Sequence, residues 1–378
     1  MSQQDDTIGD AIERLEWQDK RSGDVSRIAQ ITRRTVLTGG AAGLTAALLD
    51  ACGGSGGAAK TNAKAPNSGI SSIFGVRGGY RFTFVNHVTS NTFFTPTING
   101  AADACMLLGC SYEWTGSASS NVAQMVTAIS SAVTAGVDGI ATSLIAAGAF
   151  AKPIAAATGA RIPVVAYNAD EPRTGRLAYI GQDLLRSGRE MGLKIKSLLP
   201  TGGRIMVFIA TPGSGNLAPR LSGIQEVLLG SNLHVHSQAS GAAESQAGTT
   251  IDKVVADHLD SYQGYFAVDG GSTAALAQAI QTYNLQGKVV AGGFDLIPTT
   301  ETLLASSYLH FTIDQQPYLK GFLAVLELFL HNASHGLTGA VDVDTGITFL
   351  DPTTIAPYAK TTSRYEGTGT AVGVQRVS

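Results

Sequence analysis

Between positions 80 and 350 the chain alternates short runs rich in β-branched and aromatic residues with longer stretches whose apolar positions recur at helical spacing. Strands separated one by one by helices cannot pair as hairpins. Each helix returns the chain to the starting edge of the sheet, and the alternation therefore signals a parallel α/β sheet. The predicted strands are 80–85, 111–114, 139–143, 162–167, 204–209, 233–237, 265–268, 288–292 and 309–313. Val122, Val126, Ile129 and Val133 mark one crossover helix behind Ser119-Ser120, with Gly136 as its stop. Ile251, Val254, Val255 and Leu259 mark a second, Leu276, Ile280 and Tyr283 a third, and Leu319, Phe322, Leu323, Leu326 and Leu330 a fourth. No internal repeat is evident, although the pattern allows two similar α/β halves.

Upstream, Arg33 and Arg34 precede a weakly hydrophobic, Gly- and Ala-rich stretch, 36–49, that ends in Leu49-Asp50-Ala51-Cys52. Such a stretch reads as an export leader. As a membrane anchor its length of about 14 residues, broken by Gly39, Gly40 and Gly43, falls short of the ~20 that a bilayer requires. Those glycines are not a dinucleotide fingerprint either, since no strand precedes them and no acidic residue follows in a βαβ context. Thr32-Arg33-Arg34-Thr35-Val36-Leu37 resembles the twin-arginine export motif, and Leu49-Asp50-Ala51-Cys52 resembles a lipoprotein box. The resemblance implies a signal peptide over 1–51 and a lipid on Cys52, the first mature residue. Residues 52–79, rich in Gly, Ala and Ser and low in apolar residues, are expected to form a disordered tether.

The remaining chain of the 378 residues is long enough for two lobes. With 44% hydrophobic residues, 15% charged and a formal charge of -3, it lacks the clustered Lys and Arg of a nucleic-acid surface. The expected partner is small and weakly charged. Of the three cysteines, Cys105 and Cys110 remain beside Cys52, and they read as two small buried apolar residues rather than as a disulfide.

In open parallel sheets, ligands bind beyond the carboxyl ends of the strands, where loops and helix N-termini converge. Asn86, Asn91, Phe93 and Phe94 follow the first predicted strand, Asn168 and Asp170 the strand at 162–167, and Asn216 and Arg220 the strand at 204–209. Asp269, Asp295 and Gln315 follow the strands at 265–268, 288–292 and 309–313. Taken singly, Asn and Asp at helix starts are best read as N-caps. Taken together, the set suits a neutral polyhydroxyl ligand: carboxylates accept from hydroxyls, and arginine and amides donate. Phe93 and Phe94 offer apolar faces to a sugar ring, or pack in the core.

Catalytic and metal readings are weaker. Thr211-Pro212-Gly213-Ser214-Gly215 lacks nucleophile-elbow spacing, and no Ser, His and Asp set stands out as a triad. His331 and His335, or His234 and His236, lack a third ligand. No cofactor, metal or catalytic residue is expected.

These residues resemble the sugar-binding proteins of ABC importers with the type I periplasmic fold, similar to ribose-binding protein, over roughly 80–350. Ser90-Asn91-Thr92-Phe93-Phe94 is similar to the family's Asn-Pro-Phe-Phe, with Thr92 in place of proline. Gly293-Phe294-Asp295 matches its Gly-Phe-Asp, Thr312-Ile313-Asp314-Gln315-Gln316-Pro317 its hinge-side glutamine segment, and Arg220-Leu221-Ser222-Gly223 its Arg-x-x-Gly helix start. The resemblance implies two Rossmann-like α/β lobes with parallel sheets joined by three crossovers, near Gln182-Asp183, just after Gln315, and within 336–343. Lobe 1 is then 80–182 plus 316–340, lobe 2 is 183–315 plus 341–360, and 361–378 is a tail. Ligand contacts are implied for Asn91, Phe93, Phe94, Arg220, Asp269, Asp295 and Gln315. Two departures argue against ribose itself: Asn168-Ala169 stands where ribose binders carry Asp-Arg, and no aromatic lies within 241–246 around Glu244. The implied function is capture of a monosaccharide or sugar alcohol by a lipid-anchored monomer that delivers it to an ABC permease and its ATPase. The alternative is a sensor of the same fold coupled to a membrane kinase or chemoreceptor.

Overall fold

The computed structural model describes residues 73–76, 78–337, 340–359 and 364–365. Arg33, Arg34, Cys52 and most of the 52–79 segment lie outside the described residues. Two six-stranded sheets make up the described part. The first contains β1 (Arg81–Asn86), β2 (Ser111–Gly116), β3 (Gly139–Thr142), β4 (Val164–Tyr167), β5 (Ala178–Gly181) and a late arrival, β11 (Val343–Asp344), in the order β11-β5-β4-β3-β1-β2. The second contains β6 (Gly203–Ile209), β7 (Leu233–Ala239), β8 (Gly264–Ala267), β9 (Val290–Phe294), β10 (Phe311–Asp314) and β12 (Thr348–Leu350), in the order β12-β10-β9-β8-β6-β7. All neighbours are parallel except β10 and β12. Helices α1 (Thr95–Leu108), α2 (Val122–Thr134), α3 (Ala151–Gly159) and α9 (Pro317–Ala333) cover the first sheet. Helices α4 (Leu184–Leu198), α5 (Ala218–Leu228), α6 (Glu244–Ala256), α7 (Gly270–Thr282), α8 (Pro298–Ala305) and the short α10 (Ala356–Ala359) belong to the second lobe.

The strand pattern follows from burial. β3, β4, β8 and β10 are buried along their whole length, because helices lie on both faces, and β4 and β8 accordingly read as continuous apolar runs. β2 and β7, at the sheet edges, are partly exposed. Each of the nine predicted strands is present within two residues of its expected start, and β5, β11 and β12 are additions. Leu259, expected in the second crossover helix, lies beyond the end of α6 at Ala256. Cys105 and Cys110 are free thiols. They are brought together by the turn that ends α1, where Gly109 is left-handed and the Cys110 N–H returns to the Cys105 carbonyl at 3.0 Å.

The chain crosses to the second sheet between β5 and α4, returns between β10 and α9, and crosses again after β11. That third passage, at Thr345-Gly346, comes later than the expected 336–343, because Val343 and Asp344 still pair with Ile180 and Gly181 of the first sheet. The three passages are tied to one another. Gln182 Nε2 donates to the Gly346 carbonyl at 2.8 Å and to the Asp314 carbonyl at 3.3 Å, and Thr345 Oγ1 donates to the Gln315 carbonyl at 2.9 Å. The Thr345 N–H reaches the Gly181 carbonyl at 3.0 Å. Gln316, at φ +54°, starts α9 in the left-handed region, and Asp314 holds it there by accepting from both its backbone and its side-chain N–H.

In each lobe one crossover helix meets a resident helix at glycines. A Cβ on Gly321 of α9 would overlap the Thr97 carbonyl of α1, and one on Gly100 of α1 would overlap the Tyr318 carbonyl of α9. Gly188 of α4 and Gly223 of α5 make the matching contact in the second lobe, against the Arg220 and Leu185 carbonyls. The obstacle is backbone in every case, so no side chain can yield. Gly321→Ala is therefore expected to lower stability by about 1–3 kcal/mol, read as a reduced urea midpoint at unchanged m-value. An unchanged midpoint would show that the helices separate freely.

Candidate functional site

The carboxyl ends of both sheets face one cleft, which encloses a cavity of about 70 Å³. The first lobe contributes His87, Asn91, Phe93, Phe94, Ser120 and Asn168. The second contributes Asn216, Arg220, Glu244, Asp269 and Asp295 among its polar lining, and Gln315 lies at the crossover between them. Eight of the nine ligand-contact candidates thus line one cavity.

The floor is a buried polar network. Arg220 is 2% exposed, lies 4.1 Å over the Phe294 ring, and donates to the Val268 carbonyl at 2.9 Å. Its other terminal nitrogen donates to Gln182 Oε1 at 3.3 Å and to Gln315 Oε1 at 3.0 Å. Gln315 Nε2 donates to Asp295 Oδ1. Asp295 sits at φ +75° after β9, and Gly270 lets it approach the N-terminus of α7, where a Cβ would come within 3.0 Å of the Asp295 Cβ. Burial pushes the Asp295 carboxyl up, while Arg220, Gln315 and Lys320 oppose that shift. Asn168 takes a similar left-handed turn, φ +64°, after β4 and accepts from Lys320 Nζ at 2.9 Å.

On the opposite wall, Asn91 caps the turn at Thr92–Phe94 by accepting from the Phe93 N–H at 2.9 Å. Its amide N–H₂ has no protein partner among the described residues. Phe93 and Phe94 meet edge to face at 4.8 Å between centroids, 8% and 2% exposed. Both line the cleft and both belong to the first lobe's core. The second lobe's lining carries no aromatic among the described residues; Gly241, Ala242, Ala243, Gly270 and Gly271 stand there instead.

One sequence expectation needs correction. Asp170 is not in the cleft: Arg176 holds it through two contacts of 2.5 and 2.6 Å while also reaching Asp342 at 2.7 Å. Asp269 lines the cleft, but its oxygens are already engaged. Oδ1 caps α7 through the Ser272 N–H at 2.9 Å, and Oδ2 accepts from the Ala210 N–H at 3.0 Å and Ser272 Oγ at 2.9 Å. The N-cap reading thus applies to Asp269, and its removal would disturb the fold as well as the cleft. Asn86 turns inward, bonded to the Tyr167 hydroxyl and the Val88 N–H.

His87, Gln182, Glu244 and Lys320 were missed. The signal for Lys320 was a charge inside the apolar stripe of α9, and that for His87 was its place directly after β1. Among the described residues three hydrogen bonds cross the cleft, Thr92 Oγ1 to Glu244 Oε1 at 3.2 Å, His87 Nε2 to Asn216 Nδ2 at 3.4 Å, and the Gly215 N–H to the Ile145 carbonyl at 2.6 Å, and Ala274 and Ile297 of the second lobe join the first lobe's apolar cluster. The lobes are closed on each other. Among the described residues no cluster of metal ligands occurs, and no helix is long and apolar enough to cross a membrane.

Residues 82–331 match the family model described as periplasmic binding protein domain, and the chain belongs to that family. The chain is 42% identical over 307 residues to the xylose/arabinose-binding protein XylF of Sulfolobus acidocaldarius, covering 77% of this chain and 76% of the relative. A solute-binding protein of an ABC transporter from Burkholderia graminis, solved with D-arabinose, superposes with a TM-score of 0.70 at 24% identity, over 75% of this chain and 99% of that one. A carbohydrate transporter from Acidothermus cellulolyticus, solved with myo-inositol, gives 0.67 at 24% identity, over 75% and 97%. The two-lobed fold is that of these structures.

Burial, and secondly the charge of Lys320, lowers His87 from 6.5 to about 4. The folded state therefore binds this proton less readily than the unfolded chain. The stability that depends on neutral His87 is complete above pH ~6.5 and is lost as pH falls toward about 4. His87→Gln is expected to gain stability relative to the parent across that window, measured by urea unfolding at stepped pH. A constant difference between the two proteins would show that His87 does not titrate there.

Proposed function

We propose that this periplasmic binding protein captures a neutral monosaccharide or sugar alcohol between its lobes and delivers it to a membrane permease driven by an ATPase. The observation that carries the reading is the convergence of Arg220, Asp295 and Gln315 on the cleft floor opposite Asn91 and Phe93. Acceptors, donors and an aromatic edge face one another, as ring hydroxyls and a C–H face require. The relative named for xylose and arabinose makes a pentose the first choice of ligand.

Binding across the cleft favours the closed arrangement, because groups from both lobes reach the ligand only there. The crossovers tied by Gln182 and Thr345 act as the hinge. The chain itself carries out no chemistry in this scheme. The exported, lipid-anchored state rests on Arg33, Arg34 and Cys52, and it places the receptor at the outer face of the membrane that holds its permease.

Titration calorimetry and thermal shift with D-xylose, L-arabinose and myo-inositol test the proposal, since ligand in excess over its dissociation constant raises the melting point. At least one of the three is expected to bind. Asp295→Ala is expected to weaken that binding roughly tenfold or more, through loss of a charged acceptor in a desolvated cleft. No shift with any of them would refute the sugar reading, and unchanged affinity in the variant would remove Asp295 from the site.

A further inference from the structure

We infer that Lys320 is a positioning residue of the cleft: its ammonium, shared between Asn168 of the first lobe and Gln315 at the crossover, sets the register between the ligand contacts of the two lobes. The inference rests on the reading of the cleft as a sugar site. Lys320 is fully buried, a place where lysine occurs only with good partners. Its Nζ donates to Asn168 Oδ1 at 2.9 Å and to Gln315 Oε1, and it lies 5.4 Å from the centre of the Phe93 ring.

The geometry decides which end of the Gln315 amide is which. Gln315 Oε1 receives both Lys320 and Arg220, while the Asp295 carboxylate lies at the other end. A position facing two cations must be the carbonyl oxygen, and a position facing a carboxylate must be the N–H₂. Arg220 and Asp295 both belong to the second lobe, so without Lys320 the amide would be held from one side. The Lys320 ammonium joins it to Asn168 and thereby to the first lobe's wall.

Helix packing does not explain the lysine. The residue before the close-contact glycine is Lys320 in α9 and Ser187 in α4. Ser187 is just as buried and bonds only within its own helix, to the Leu184 carbonyl at 2.9 Å. The same glycine contact thus forms around a small hydroxyl. The long cation is present on the side where a link to Gln315 and Asn168 is made.

The test uses the full chain carrying Lys320→Met, Lys320→Gln, Gln315→Leu and the Lys320→Met/Gln315→Leu pair. Affinity for D-xylose and L-arabinose is measured by calorimetry, with circular dichroism and urea unfolding as separate checks on the fold. Lys320→Met is expected to weaken binding roughly 10- to 100-fold, the range for a charge-assisted bond. Lys320→Gln, which keeps an N–H donor, is expected to recover part of that loss and serves where the methionine variant does not fold. In the Gln315→Leu background the effect of Lys320→Met is expected to shrink to within about threefold, because the group it acts through is gone. Affinity within about twofold of the parent, or an undiminished loss in the Gln315→Leu background, would overturn the assignment. A ligand-free arm follows the Gln315 side-chain amide by NMR. Slow hydrogen exchange in the parent should become fast in Lys320→Met, and unchanged exchange overturns the inference. If the parent binds neither sugar, the sugar reading is in question, and the amide exchange still decides the role of Lys320.

Discussion

One oxygen, Oε1 of Gln315, receives hydrogen bonds from two buried cations that arrive on different lobes. Two like charges directed at one neutral atom in a dry site repel strongly unless counter-charges stand near. Asp295 and Asp314 supply them, and Lys320 in turn opposes the upward shift of both carboxyls, with burial holding Asp314 up at about 6. Much of the surrounding structure serves this arrangement. Gln315 must sit where the chain changes lobes, Arg220 must enter on α5, and Lys320 on α9. The close glycine contacts bring those two helices against their neighbours at the required depth.

The same organisation appears twice. Strand orders β2-β1-β3-β4-β5 and β7-β6-β8-β9-β10 correspond one to one. Asn168 and Asp295 follow corresponding strands, both left-handed, and Gln182 and Gln315 follow the next pair and both reach Arg220. No repeat is visible in the sequence, because what the two halves share is backbone geometry, which different side chains satisfy equally well. The halves also exchange helices: α4, which follows the first half's last core strand, packs in the second lobe, and α9 makes the reverse move. A sequence window that takes each strand with its following helix therefore separates partners that fold together.

The strands were legible because a parallel sheet covered on both faces favours uninterrupted apolar runs, as in Val164–Tyr167 and Gly264–Ala267. β5 was not, since its four residues stand between Gly175 and the Gln182-Asp183 crossover with no periodicity to register. Most of the cleft set could be found by asking which polar residues follow strands. That rule cannot tell a residue facing the cavity from one consumed locally. Asp170 and Asn86 satisfy it and are occupied by Arg176 and Tyr167. Lys320 fails it, because it reaches the floor from the first turn of a helix rather than from a strand end.

The hydrogen bonds across the closed cleft form a weak latch, with Ala274 and Ile297 of the second lobe adding apolar contact to the first lobe's core. Thr92 to Glu244 is exposed, His87 to Asn216 is long at 3.4 Å, and only the Gly215 to Ile145 backbone bond is short. Each net hydrogen bond is worth about 1 kcal/mol and the exposed one less, against the ordering and dehydration that closure requires. Tight closure by the protein alone would also work against release, because the ligand could neither enter nor leave. A weakly latched cleft with desolvated groups on both walls would leave the choice of state to the ligand, since the proposed contacts to Asn91 on one side and to Arg220 and Asp295 on the other would exist together only when the lobes meet.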